Sequence, residues 1–178
     1  MPQTVRLRPP TAASRTPALA DRPPALDYRS ADGVDAFVRK VAAATPMQII
    51  ETERAGVRGT LVKDLARRMQ VPASRFYEVI GVPKATAEQK ASSGAMFAGD
   101  GGQAALGVVR LLAIVEAIVA NSTAEGAKGF DAPQWLGRWI ERPQPSLGGR
   151  KPADLLDTPS GVGVVARLLG AIESGAYR

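Results

Sequence analysis

The 178-residue chain contains neither cysteine nor histidine, and these two absences close off most of the chemistry open to a small protein. Without thiols there is no disulfide frame and no thiolate nucleophile. Without either residue there is no Cys/His zinc site and no imidazole to serve as general base. The remaining candidates for catalysis are carboxylates, hydroxyls and lysines, and the Asp and Glu residues are scattered along the chain rather than paired. The expectation is a non-enzymatic protein that uses no cofactor and no metal. Long hydrophobic runs are also missing. The most apolar stretch, Ala104 to Ala120, is broken by Arg110 and Glu116 and is shorter than the roughly 20 residues a bilayer requires. The first residues carry Arg and Pro but no apolar core of a signal peptide, so a cytoplasmic protein without membrane association is expected.

Charge is plentiful but unevenly spread. The chain carries a net +6. Residues 1–30 hold five Arg against Asp21 and Asp27, residues 61–93 hold six basic against three acidic side chains, and residues 94–131 are net acidic. Two separated basic segments suit a polyanion such as nucleic acid, and they also serve plain solubility. Hydrophobic residues make up 45% of the chain, which is enough for a core, while aromatics are only 5%.

Residues 1–30 include six prolines and little periodic apolar content, the composition of a flexible basic tail. From Ser30 the spacing turns helical. Val34, Phe37, Val38 and Val41 mark a first helix, and Thr45-Pro46-Met47-Gln48 reads as a capping box that opens a second, ending at Gly56. Leu61, Val62, Leu65, Ala66 and Met69 form the stripe of a third helix stopped by Pro72. Phe76, Val79 and Ile80 belong to a fourth that ends at Gly81, and a short polar helix spans Lys84 to Lys90. This succession is the layout of a helix-turn-helix unit, although any small helical bundle shows it as well.

Ser92 to Gln103 reads as Gly-rich and irregular. The helix over Ala104 to Ala120 is apolar almost all round, so it is either a central strut or a self-association surface. Asp131-Ala132-Pro133 then caps a helix through Trp135, Leu136, Trp139 and Ile140. Leu147-Gly148-Gly149 makes a turn, Pro152 opens a short helix with Leu155 and Leu156, and Thr158-Pro159 caps a last helix with Val162, Val165, Leu168, Leu169 and Ile172 inward. No strand alternation stands out, so the expected fold class is all-α. The expected division is a tail at 1–30, a helical domain with a helix-turn-helix at 31–120 and a C-terminal domain at 121–178.

The stretch from Trp135 to Tyr177, with its Trp-Leu helix, Pro143 link, Leu147-Gly148-Gly149, Pro152, Leu155-Leu156, Thr158, Gly161 and final helix through Leu168 and Ile172 to Gly175, closely resembles the C-terminal toxin-binding domain of the Xre/MbcA/ParS antitoxins. Residues from about Thr60 to Ala120 are similar to that family's Xre-type helix-turn-helix and connecting helix. The resemblance implies an antitoxin of a type II toxin–antitoxin pair, with a RES-domain toxin that removes nicotinamide from NAD as partner, operator DNA as a second partner and a homodimer as the assembly. It also implies that the C-terminal domain covers the toxin's NAD pocket, with the chain end nearest to it.

The toxin-binding candidates are Trp135, Leu147, Gly148, Gly149, Arg150, Lys151, Tyr177 and Arg178, the last two offering an aromatic ring and a cation to a cleft built for an anionic dinucleotide. Gly148 and Gly149 suit a turn that needs positive φ, and the tryptophans suit a core as well as an interface. On the DNA side, Thr86 and Gln89 could reach base edges while Arg75, Lys84 and Lys90 meet phosphates. One departure from the family is plain, because the third helix of the unit carries Glu88 where several Arg are usual. The competing function is a stand-alone helix-turn-helix regulator whose C-terminal domain only dimerises it.

Overall fold

Helix starts follow from capping chemistry in the computed structural model, which describes residues 22–123 and 125–173. Helix α1 spans Val34–Ala42 and α2 spans Pro46–Ala55. Ahead of α2 the Thr45 hydroxyl accepts from the Gln48 amide at 3.3 Å while the Gln48 side chain accepts from the Thr45 amide at 3.0 Å, the reciprocal box expected from the sequence. Helices α3 (Gly59–Arg68), α4 (Ala73–Val79) and α5 (Lys84–Ser93) follow, the last two entered through Pro72 and Pro83. Then come α6 (Asp100–Asn121), α7 (Ala132–Trp139) and α8 (Pro159–Glu173), with short 3-10 turns at Glu125–Ala127, Pro145–Leu147 and Pro152–Leu155. The fold class is all-α, as read from the sequence.

The apolar helix α6 is the strut of the molecule. By length and composition it could cross a bilayer, yet Leu106, Val108, Val109, Leu111 and Leu112 are fully buried, with α1, α7 and α8 packed around it. One continuous hydrophobic core runs from Tyr28 to Leu169 and takes in residues of α1, α3, α4, α6, α7 and α8. The inward stripes read from the sequence are all there. Phe37, Leu61, Leu65, Phe76, Ile80, Leu136, Ile140 and Val165 are at most 2% exposed. Burial of side chains of this size stabilises by roughly 1.5–3 kcal/mol each.

Two sequence expectations change here. The segment read as irregular between α5 and α6 contains strand β2 (Met96–Phe97), which pairs antiparallel with β1 (Val57–Arg58) through Val57 opposite Phe97 and Arg58 opposite Met96. Two-residue strands are too short for a period-2 pattern, so alternation could not reveal them. Helix α6 also begins at Asp100 rather than Ala104.

Within the stretch read as a tail, residues 22–30 are tied to the helical body. Tyr28 is 2% exposed, meets Phe37 edge-on at 5.4 Å and donates its hydroxyl to Asp64 at 2.6 Å. Burial, reinforced by Asp64, raises its pKa well above the ordinary phenol value. The Leu26 amide donates to the Thr52 hydroxyl at 2.9 Å, and Arg58 pairs with Asp27 at 2.7 Å. Residues 1–21 lie outside the described residues.

Candidate functional site

Helix α7 is positioned by three polar ties to α3, α4 and the turn between them and by one missing side chain. Asp131 caps it, accepting from the Gln134 amide at 2.8 Å, and also receives Arg68, whose guanidinium at 2.9 Å from each partner bridges Asp131 to Asp35 of α1. Desolvation pushes the Asp131 pKa up, but the Gln134 amide and Arg68 outweigh it and hold the carboxyl below its usual range. At the far end Glu141 accepts from Arg75 of α4 at 2.7 Å and from Lys151 at 3.1 Å. These partners likewise overcome desolvation and depress its pKa. Between the two ends, Gln134 donates to the side chain of Gln70, which itself sits at φ 57 in the α3–α4 turn. Gly137 lies against that turn so closely that a Cβ there would be 2.3 Å from the Met69 carbonyl oxygen.

After α7 the chain makes a closed loop. The Gln144 amide donates to the Arg150 carbonyl and the Gly149 amide to the Gln144 carbonyl, both at 3.0 Å. Gly148 and Gly149 stand at φ 64 and 80, the left-handed geometry anticipated for the turn. The loop presents Gly148, Gly149 and Arg150 to solvent, while Leu147 leans on the core and Lys151 is turned back onto Glu141. Trp135 is half-buried and stacks on Trp139 with centroids 5.6 Å apart and planes at 14°. Phe130, 39% exposed, tilts against Trp135 at 6.0 Å. The two tryptophans therefore divide the roles left open by sequence: Trp139 is 7% exposed and belongs to the core, whereas Trp135 reaches the surface. Tyr177 and Arg178 lie outside the described residues.

The residues proposed for DNA are dispersed in role. On α5, Lys84 and Gln89 are exposed and Thr86 is half-buried. Lys84 stands 3.8 Å from Glu88 one turn on, so the outward face carries little net charge. The Lys90 ammonium donates to the Met96 carbonyl at 2.8 Å and sits over the Phe97 ring at 5.0 Å, fixing α5 to β2. Arg75 is shared by Glu141 and Glu78, and these hydrogen bonds raise its pKa.

Two further residues join the candidate face. Arg138 and Arg142 are exposed and line a cleft of about 240 Å³ together with Trp135 and Trp139. They also border a second cleft, of about 550 Å³, against Val71 and Pro72 of the α3–α4 turn. The signal for them was in the sequence: Trp135, Arg138, Trp139 and Arg142 are spaced i, i+3, i+4 and i+7, one side of a helix.

The family model described as the Antitoxin Xre/MbcA/ParS C-terminal toxin-binding domain matches residues 127–175, which take in α7, the closed loop and α8. A curated protein from Sphingobium sp. (strain YBL2), named Prs ADP-ribosylating antitoxin, is 34% identical over 134 residues, covering 75% of this chain and 83% of that one. The similarity thus reaches well beyond the C-terminal segment.

Proposed function

The chain belongs to the Xre/MbcA/ParS antitoxin family and is a toxin-neutralising antitoxin, and on that premise we propose that it silences a RES-domain toxin that degrades NAD by covering the toxin's active site. Residues 121–178 are the toxin-facing unit and residues 31–120 the DNA-facing one. The observation that carries this reading is the match over residues 127–175. It coincides with a segment rich in exposed turn backbone, cations and a surface tryptophan, and offering neither thiol nor imidazole. Such a surface occludes rather than reacts. Trp135, Leu147, Gly148, Gly149, Arg150 and Lys151, with Tyr177 and Arg178 beyond them, make up the proposed toxin contact.

The name of the Sphingobium relative supports a second reading of the partner's chemistry, in which the toxin transfers ADP-ribose from NAD to a target instead of to water. Both reactions break the bond to nicotinamide, so the fate of the ADP-ribose tells them apart. Expression of the toxin alone should deplete cellular NAD and arrest growth, and co-expression of this chain should prevent both. Label from adenine-labelled NAD recovered on protein identifies transfer, and label recovered only as free ADP-ribose identifies hydrolysis. Continued NAD loss with this chain present at equal amount would defeat the proposal.

We also propose autorepression through α5, with Lys84, Thr86, Gln89 and Lys90 toward the DNA and Arg75 at its flank, and homodimerisation through the α6 face. The dimer reading is supported by an apolar groove of about 340 Å³ between Val41, Ile49, Ala113 and Ile114, and by Met47 and Ile50 standing exposed on α2.

A further inference from the structure

The cations around the C-terminal segment divide into two sets. Arg68, Arg75 and Lys151 are neutralised within the molecule by Asp35, Asp131 and Glu141. Arg138, Arg142 and Arg150 form no ion pair within 4.0 Å among the described residues, although the charge of Arg138 is felt at Asp131; Arg138 is exposed on the last turn of α7 and Arg142 is exposed just past its end. Between and beside them lies the Trp135–Trp139 stack, one ring buried and one reaching solvent. On their other side is the apolar wall of Val71 and Pro72.

We propose that this arginine ridge, with the tryptophan ledge on one flank and the Val71–Pro72 cleft on the other, is the surface that receives a short acidic segment of the toxin, its carboxylates on Arg138 and Arg142 and an adjoining apolar side chain on Trp135. The inference rests on the antitoxin reading and adds to it the face used and the chemistry of what docks there. Exposed arginines beside a surface tryptophan are the side chains that carry interface energy, and guanidinium forks fit carboxylates two bonds at a time. A nucleic-acid backbone fits less well. Two neighbouring guanidiniums fall short of the row of roughly 6–10 cations that tracks a duplex.

The test uses the full-length chain and the purified toxin. Calorimetric titration should show that Arg138→Glu with Arg142→Glu weakens binding by about tenfold or more, through opposed charges at the contact. Arg138→Lys with Arg142→Lys should bind more tightly than the reversed variant but less tightly than wild type, because an ammonium restores the charge without the two-bond fork, and Lys63→Glu, a reversal on the exposed side of α3, should change affinity less than about twofold because distant surface charges are screened. Both arginines are exposed, so the reversed variant should keep the wild-type helical circular dichroism and a cooperative unfolding transition, lowered only by the like charge brought near Asp131, which separates lost contact from lost fold.

The proposal is overturned if the reversed variant binds within about twofold of wild type, in which case the antitoxin reading stands and another face docks. A wild-type chain that fails to bind the toxin overturns both. The only two tryptophans of the chain lie at this cleft, so their emission reports its occupancy directly. A change in emission on adding a duplex oligonucleotide, abolished by the double reversal, would make this a nucleic-acid face and also overturn the proposal.

Discussion

Replacing Gly137 by alanine should loosen the joint between α7 and the α3–α4 turn, although alanine is the better helix former. In an open helix the change would stabilise by about 1 kcal/mol. At Gly137 the added methyl would lie 2.3 Å from the Met69 carbonyl oxygen and 3.1 Å from Val71 Cγ2. The first of these atoms is backbone and cannot rotate away. Helix α7 must then retreat by roughly 1 Å to restore van der Waals contact, pulling Gln134 from Gln70 and straining both the Arg68–Asp131 and Arg75–Glu141 pairs. Overpacking of this kind costs about 1–3 kcal/mol or more, so with the propensity gain set against its upper range a net loss of about 2 kcal/mol is expected.

For a chain of this length that loss lowers the unfolding midpoint by roughly 4–8 °C. Gly170→Ala provides the contrast. Gly170 lies within α8 with nothing within 4 Å of where its Cβ would be, so the same substitution there should raise the midpoint by about 2–4 °C. Thermal unfolding followed by helical circular dichroism measures both. If Gly137→Ala were as stable as wild type or more so, α7 would not be seated on the α3–α4 turn and the geometry of both clefts would be wrong.

Other expectations follow from single contacts. Tyr28→Phe removes the hydroxyl bond to Asp64 but keeps the ring against Phe37; a loss of about 1 kcal/mol in denaturant unfolding is expected, and no loss would mean that residues 22–30 are not anchored there. Asp131 and Glu141 both have depressed folded-state pKa values. Their stabilising contribution is therefore complete above the ordinary carboxylate range and fades as pH falls through their lower folded values, so unfolding midpoints measured from pH 6 down to pH 2 should drop less steeply for Asp131→Asn than for wild type. If the proposed α5 contact with operator DNA exists, Lys84→Ala with Lys90→Ala should flatten the salt dependence of binding in gel shifts. Lys90→Ala alone should in addition destabilise the fold, because its ammonium holds the Met96 carbonyl and the Phe97 ring; an unchanged midpoint would count against that anchoring.

What was legible in the chain depended on whether the signal was local. Capping is local, and so Thr45-Pro46-Met47-Gln48 and Asp131-Ala132-Pro133 marked the starts of α2 and α7. The i, i+3, i+4 stripes named the core side of α1, α3, α4 and α8. Buried Tyr28 was hidden because its partners, Phe37 and Asp64, come from other elements and its own segment carries prolines in place of a period. The fate of each cation was likewise unreadable. Arg75, Arg138 and Arg142 are equivalent as sequence, and only the approach of Glu141 to Arg75 across the seam with α4 turns one into a structural tie while the other two stay exposed without a carboxylate in contact among the described residues.

The same distinction bears on what the protein can hold on to. A cation already paired must give up its partner before it can bind anything else, whereas an unpaired one loses only water. Recognition of the toxin should therefore concentrate where the fold leaves cations without a carboxylate in contact, at Arg138 and Arg142 around the end of α7 and at Arg150 in the loop behind them. On α5, Lys84 faces Glu88 and Lys90 is occupied by β2.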